Sequence, residues 1–338
     1  MGPARSLRGR AIADARPVRL SQPIFVVGCP RSGTTLVQCI LSASSQAFSF
    51  PETHFFSWVL PSLGVGPHAR ITPEQLRVAR AELEHEAQLM LPDHVWLELE
   101  ARGDLRALDV FLAAVACYCP GGDLRAIEKT PRHVLHLETI GEVFPDARFV
   151  NIVRDTIDVA SSLLRMPCES SRSMLSYAQR WMESIQAARA YARAHPDRLH
   201  TVTYELLVRE PEAQERRLCA FLDLPYEAAM LNEFGREAAR NVGRSEDWKR
   251  DIERGVIVDR KGVWRTRMTP GGAWLVAQAT RPHRREYGYV DRPVATPGSI
   301  AAAIVREARI RFGEARPSTG IIQAARHAGS VLKTLSVA

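Results

Sequence analysis

The chain has 338 residues, 46% of them hydrophobic and 25% charged, enough to bury one large α/β core with a helical insertion, or two smaller domains. Its net charge of +7 sits at the ends: residues 1–22 hold five arginines against one aspartate, and residues 291–338 hold seven basic against three acidic residues, which leaves 23–290 close to neutral. A near-neutral body excludes an enzyme that tracks along nucleic acid, and the lack of any run of eighteen apolar residues excludes a membrane-spanning helix.

Beyond a basic arm over 1–22, Ile24 to Val27 read as a β-branched and aromatic strand. It is followed by Gly28-Cys29-Pro30-Arg31-Ser32-Gly33-Thr34-Thr35, then by Leu36, Ile40 and Leu41 at the spacing of a buried helix face. Strand, glycine-containing loop and helix start together make an anion site. The glycines let the backbone turn sharply, and the first helix amides lie unpaired at the positive end of the dipole. A nucleotide triphosphatase loop would carry a lysine where Thr34 stands. Here the cation is Arg31, inside the loop, which suits one phosphate with a second anionic group beside it.

A short strand over Ala47 to Phe50 leads into Pro51-Glu52-Thr53-His54-Phe55-Phe56. Residues 61–122 read as a helical insertion that covers one side of the site, with helices predicted from Pro73 to Leu91 and from Asp104 to Cys119. Strands follow at Leu124 to Glu128, Ala147 to Val153 and Leu199 to Tyr204. Helices are predicted to start near Arg132 and Thr156, with a longer one from Ser173 to Ala194. Such alternation gives a parallel sheet. Arg154 ends its strand and Ser162 lies about two helical turns beyond it, a guanidinium and a hydroxyl able to clamp a phosphate. Arg154-Asp155 alone would read as a salt bridge at a helix start. Paired with the first loop, it matches a ligand phosphorylated at both ends and bound at the carboxyl ends of the strands.

In the tail over 291–338, Ile300 to Phe312 and Ile321 to Leu335 show mixed apolar and basic helical patterns, broken by Pro317 and Gly320. Two readings follow: helices packed on the domain, or peripheral contact with an anionic membrane surface. The six cysteines, Cys29, Cys39, Cys117, Cys119, Cys168 and Cys219, show neither a disulfide framework nor paired metal spacing. With no apolar N-terminal region and no N-x-[ST] sequon, the expectation is a cytoplasmic protein, membrane-associated only if the tail makes it so.

The loop sequence PRSGTT behind its strand resembles the 5′-phosphosulfate loop of sulfotransferases that use 3′-phosphoadenosine 5′-phosphosulfate (PAPS). Arg154 and Ser162, eight residues apart, resemble that family's 3′-phosphate pair, and Thr203-Tyr204-Glu205-Leu206-Leu207 with Pro211 and Phe221 to Pro225 resembles its YEDL…DP…FLGLP stretch. The likeness runs from about Pro23 to Tyr289 and is nearest the bacterial, tyrosylprotein and heparan-type branch. It implies a P-loop-type parallel α/β sheet flanked by helices over 23–290, with the helical insertion and a C-terminal helical tail. It also implies that Arg31, Ser32, Gly33, Thr34, Thr35, Arg154, Ser162 and Tyr204 bind PAPS, with no metal required.

Glu52 stands twenty-one residues after Arg31, about where that branch keeps a catalytic glutamate. A carboxylate walled by Phe55, Phe56 and Trp58 is expected to have a raised pKa and to serve as base, with His54 as the lesser candidate. Lys129 resembles the family's lysine near the bridging oxygen, and in a chain with forty-one arginines and four lysines its use at a strand end is unusual. Arg31 and Lys129 would stabilise charge on the leaving phosphate. Departures are Leu36, where cytosolic members carry an aromatic, and Arg165, one position from a helper arginine. Arg260-Lys261-Gly262-Val263-Trp264-Arg265 resembles the basic segment that closes over the donor. The acceptor is a hydroxyl or an amine on a small molecule or glycan: a carbohydrate, glycolipid or natural product. Two other classes stay open, a P-loop kinase needing magnesium on a carboxylate such as Asp155, and a non-catalytic nucleotide-binding protein. Oligomeric state is not predicted.

Overall fold

The computed structural model describes residues 20–166, 173–236 and 259–313. Its centre is a five-stranded sheet of β1 (Ile24–Gly28), β2 (Ala47–Ser49), β3 (Arg125–Glu128), β4 (Arg148–Val153) and β5 (Leu199–Thr203), in the order β2-β3-β1-β4-β5. Every pairing is parallel. The chain leaves central β1 toward β2 and β3, then crosses to β4 and β5, so the order reverses at β1. In such sheets a crevice opens there, at the carboxyl ends of the strands.

Both faces are covered at the centre of the sheet, and central β1 is correspondingly a continuous apolar run up to Gly28. On one face Phe25, Val27 and Phe149 pack with the insertion, and the rings of Phe25 and Phe149 stack at 5.6 Å. On the other, Ile24, Val26, Val150 and Ile152 pack against α1 (Thr34–Ser42) and α10 (Pro211–Leu222). A third cluster joins α7 (Thr156–Leu163), α8 (Met174–Ala194) and the helices Pro270–Ala279 and Pro297–Gly313.

The insertion differs from the reading of the sequence. Its helical path begins earlier, with a π turn at Phe55–Val59 that runs into α2 (Leu60–Leu63). The helix expected to reach Leu91 is α3 (Pro73–Ala81), started by a Thr72/Gln75 capping box, and it widens into a π turn at Glu82–Glu86. Gln88 then turns left-handed at φ 53° and Pro92 blocks continuation. Leu89 and Leu91 are thereby buried, at 1% and 4% exposure. A separate α4 (Asp93–Glu100) follows, which the sequence hid because Pro92 stands where a capping side chain is usual. The next helix, α5, starts at Ala107 instead of Asp104, whose carboxylate pairs with Arg70 at 2.6 Å, and it runs to Tyr118. The segment after β3 is a 3₁₀ turn at Pro131–His136 before α6 (Leu137–Val143). At the far end Pro297–Gly313 docks through buried Glu307, which accepts hydrogen bonds from the Ser173 hydroxyl (2.6 Å) and the Met174 amide (3.1 Å) at the start of α8. The second tail helix, Cys168 and most of the basic arm lie outside the described residues.

Candidate active site

Because all five strands run parallel, the residues that follow them share one edge of the sheet: Arg31 to Thr35 after β1, Glu52 after β2, Lys129 after β3, Arg154 after β4 and Tyr204 after β5. The loop after β1 is shaped by two glycines. At Gly28 (φ 144°) a Cβ would meet the Ile152 carbonyl oxygen at 2.4 Å, and at Gly33 (φ 104°) it would meet the Tyr204 ring at 2.7 Å. Arg31 itself lies in the left-handed region at φ 75°, and its Nε donates to Ser162 Oγ at 3.0 Å. The two anion-binding segments predicted from sequence are thus joined by one hydrogen bond.

Several features fit this loop to a phosphorylated ligand. Gly33 caps α1 without a side chain, leaving the cap position open to an anion above the helix amides. Ser32 Oγ is buried with no hydrogen-bond partner among the described residues, as is Arg154 Nε. Thr34 and Thr35 are buried at the helix start. Arg154 is only 7% exposed; its guanidinium lies 4.3 Å over the Tyr204 ring, and its Nη2 donates to the Arg260 carbonyl at 2.6 Å. Tyr204 opens α9 (Tyr204–Arg209) and is buried between the loop and Arg154, so it braces the donor-side cation.

The segment Arg260 to Arg265 reaches this site through a residue that the sequence did not single out. Asp158, one turn beyond Arg154, accepts from the amides of Gly262 (2.7 Å) and Trp264 (3.0 Å) and lies 4.0 Å from Arg154. Burial pushes its carboxyl up against the opposing pull of Arg154 and the two amides. The i, i+4 spacing to Arg154 was the available signal. Asp155, the carboxylate that a magnesium-dependent kinase would need, is instead the cap of α7 and accepts from Nε and Nη2 of Arg284, at 3.2 and 2.9 Å. Arg165 is exposed just beyond α7.

On the other side of β1, Glu52 Oε1 takes an ion pair from the Nζ of buried Lys129 and Oε2 lies 3.1 Å from His54 Nε2. The His54 ring stacks on Trp58 at 3.7 Å, nearly parallel, and His54 adopts φ 49°. The expected raised pKa of Glu52 is corrected by this pairing. Burial does push the carboxyl up, but Lys129 and His54 together outweigh it and hold it well below the usual carboxylate range. Phe55 and Phe56 are fully buried in the core cluster on this face of the sheet. Beneath the pair sits a buried network absent from the sequence reading: Glu128, Thr53, Thr130 and His133. Its visible trace in the sequence was Glu128, an acidic residue following apolar Ala126 and Ile127 at the end of β3.

A sequence model of the Sulfotransferase family matches residues 23–228. The chain is 28% identical over 221 residues to a protein-tyrosine sulfotransferase of Drosophila melanogaster, covering 62% of this chain and 39% of that protein. It is 24% identical over 248 residues to protein-tyrosine sulfotransferase 1 of Danio rerio, covering 71% and 65%. To the nodulation protein NoeE of Sinorhizobium fredii it is 27% identical over 306 residues, covering 79% and 69%. The chain therefore spans less than two thirds of the length of the two animal proteins. Among solved structures, the sulfotransferase domain from the curacin biosynthetic pathway superposes with a TM-score of 0.59 at 22% identity, over 81% of this chain and all of that one, a likeness of fold.

Proposed function

Because the chain belongs to the sulfotransferase family, we propose that it moves the sulfuryl group of PAPS onto a hydroxyl, or alternatively an amine, of a carbohydrate, glycolipid or natural-product acceptor. The observation that supports the donor assignment is the Arg31–Ser162 hydrogen bond, which joins the loop after β1 to the segment after β4, as a ligand phosphorylated at both ends would require. In this reading the α1 amides, Ser32, Thr34 and Thr35 hold the 5′ end, and Arg154 and Ser162 hold the 3′-phosphate. The acceptor oxygen attacks sulfur as the bond from sulfur to the phosphate oxygen breaks, and the acceptor proton passes to Glu52. Arg31 and Lys129 neutralise the charge left on the phosphate, roles in which one preorganised donor is typically worth ~3 to 4 kcal/mol.

The Glu52–Lys129 pair gives the chemistry an order. While Lys129 holds it, Glu52 is a poor base. Once Lys129 turns to the oxygen bridging sulfur and phosphorus, Glu52 loses its strongest counter-charge and its affinity for the acceptor proton rises. The relatives named as protein-tyrosine sulfotransferases make a tyrosine peptide a reasonable member of an acceptor screen. A kinase reading is disfavoured by Thr34 in place of the loop lysine and by the engagement of Asp155 with Arg284.

Calorimetric titration with adenosine 3′,5′-bisphosphate and with ATP plus magnesium tests the donor. Selective bisphosphate binding by the wild type, weakened at least tenfold in Arg154→Ala, is expected; preference for ATP, or indifference to Arg154, overturns the assignment.

A further inference from the structure

Glu128 is 1% exposed, yet it is a carboxylate on the strand that ends at Lys129. Burying such a group is costly unless its oxygens are fully hydrogen-bonded. Here they are: Oε1 accepts from the hydroxyls of Thr53 (2.9 Å) and Thr130 (2.7 Å), and Oε2 accepts from the Thr130 amide (3.1 Å) and lies 2.9 Å from His133 Nδ1. The far ring nitrogen of His133 settles the tautomer. Nε2 accepts the Phe56 amide at 3.2 Å, so the proton is on Nδ1, the imidazole is neutral, and the charge of the network resides on Glu128.

The partners of Glu128 in turn hold three successive amides of the turn after Glu52. The His54 amide donates to Thr130 Oγ1 (3.3 Å), the Phe55 amide to Thr53 Oγ1 (3.2 Å) and the Phe56 amide to His133. One carboxylate therefore orients every group that caps this turn. Thr53 is the covalent neighbour of Glu52, Thr130 is that of Lys129, and β2 and β3 are adjacent in the sheet. A simple N-cap needs one short polar side chain; three convergent side chains tied to one buried charge constrain the two strand ends relative to each other.

We infer that Glu128 is a positioning residue which, through Thr53 and Thr130, fixes Glu52 and Lys129 as a pair across the ends of β2 and β3. The inference builds on the proposed roles of that pair, but its geometry can be read without donor or acceptor. With four lysines in the chain, protein carrying ¹³Cε-lysine gives few signals, and Lys129→Met assigns the one of interest. Glu52→Gln marks where that signal falls when the pair is lost.

Thr53→Val removes one hydroxyl at nearly constant shape. It is expected to move the Lys129 signal at least halfway to its Glu52→Gln position, while Thr53→Ser, which keeps the hydroxyl, leaves it at the wild-type position. Glu128→Gln, able to keep its hydrogen bonds by presenting its oxygen to the Thr130 amide and His133, tests the charge and is expected to shift the same signal. Bisphosphate affinity should change less than threefold in each. A Lys129 signal unmoved in Thr53→Val overturns the inference, and if Glu128→Gln does not fold, Thr130→Val beside Thr53→Val decides it. Failure of the wild type to bind bisphosphate would refute the donor assignment while leaving the lysine result standing.

Discussion

Glu215 provides a quantitative test of the packing around α10. Its side chain is fully buried, and among the described residues Oε2 has no hydrogen-bond partner and Oε1 accepts from the thiol of Cys219 alone, at 3.6 Å. Burial, only slightly relieved by that thiol, pushes the carboxyl up to about 7 from an ordinary 4.5. A carboxyl with a raised pKa binds its proton more tightly in the folded than in the unfolded chain. Its contribution is therefore fully present below the unfolded value and is lost as pH rises through the folded one. At ~1.4 kcal/mol per pH unit, the loss between pH 4 and pH 8 is about 3 kcal/mol. Other carboxylates also titrate in this range, so the measurement is a difference: Glu215→Gln against wild type, by chemical and thermal unfolding from pH 4 to pH 8. The variant should become the more stable protein as pH rises, by up to about 3 kcal/mol, or about 4 to 5 °C for a chain of this length. A difference that stays flat across this range would refute the claim that Glu215 is buried without compensation.

Three further outcomes follow from the site. Gly33→Ala forces a side chain into the left-handed region and against the Tyr204 ring; we expect a loss of about 2 kcal/mol of stability and at least tenfold weaker bisphosphate binding by calorimetry. Asp158→Asn removes one of the two oxygens that accept from the Gly262 and Trp264 amides, so trypsin should cut faster after Arg260, Lys261 and Arg265, and bound bisphosphate should slow the wild type more than the variant. Arg284→Met leaves Asp155 buried without its counter-charge, at a cost of about 3 to 5 kcal/mol measurable by denaturant unfolding; an unchanged midpoint would show that water replaces the pair.

Much of the proposed donor site was legible in the chain. An apolar strand followed by GCPRSGTT, and a second strand ending in Arg154 with Ser162 beyond it, are local patterns whose chemistry depends on spacing and residue type, and the fold keeps both where the pattern places them. The insertion was less legible. Apolar spacing identified helices, but their limits were set by Pro92, by the left-handed turn at Gln88 and by the burial of Leu89 and Leu91, which depend on what lies across the core.

By itself the sequence determined the alternating strand and helix order, the two segments proposed to bind anions and the identity of the candidate base and cation, because these reside in short contiguous stretches with their own backbone preferences. Only the tertiary structure decided how those groups act on one another. The low pKa of Glu52 comes from Lys129, which reaches it across two adjacent strands; the anchoring of residues 260–265 comes from Asp158; and the cap beneath the Glu52 turn comes from Glu128. Charge and hydrogen bonding act through space over a few ångströms, and these partners lie between about seventy and one hundred residues apart in the chain. No reading of local pattern could have brought them together before the parallel sheet placed its strand ends at one edge.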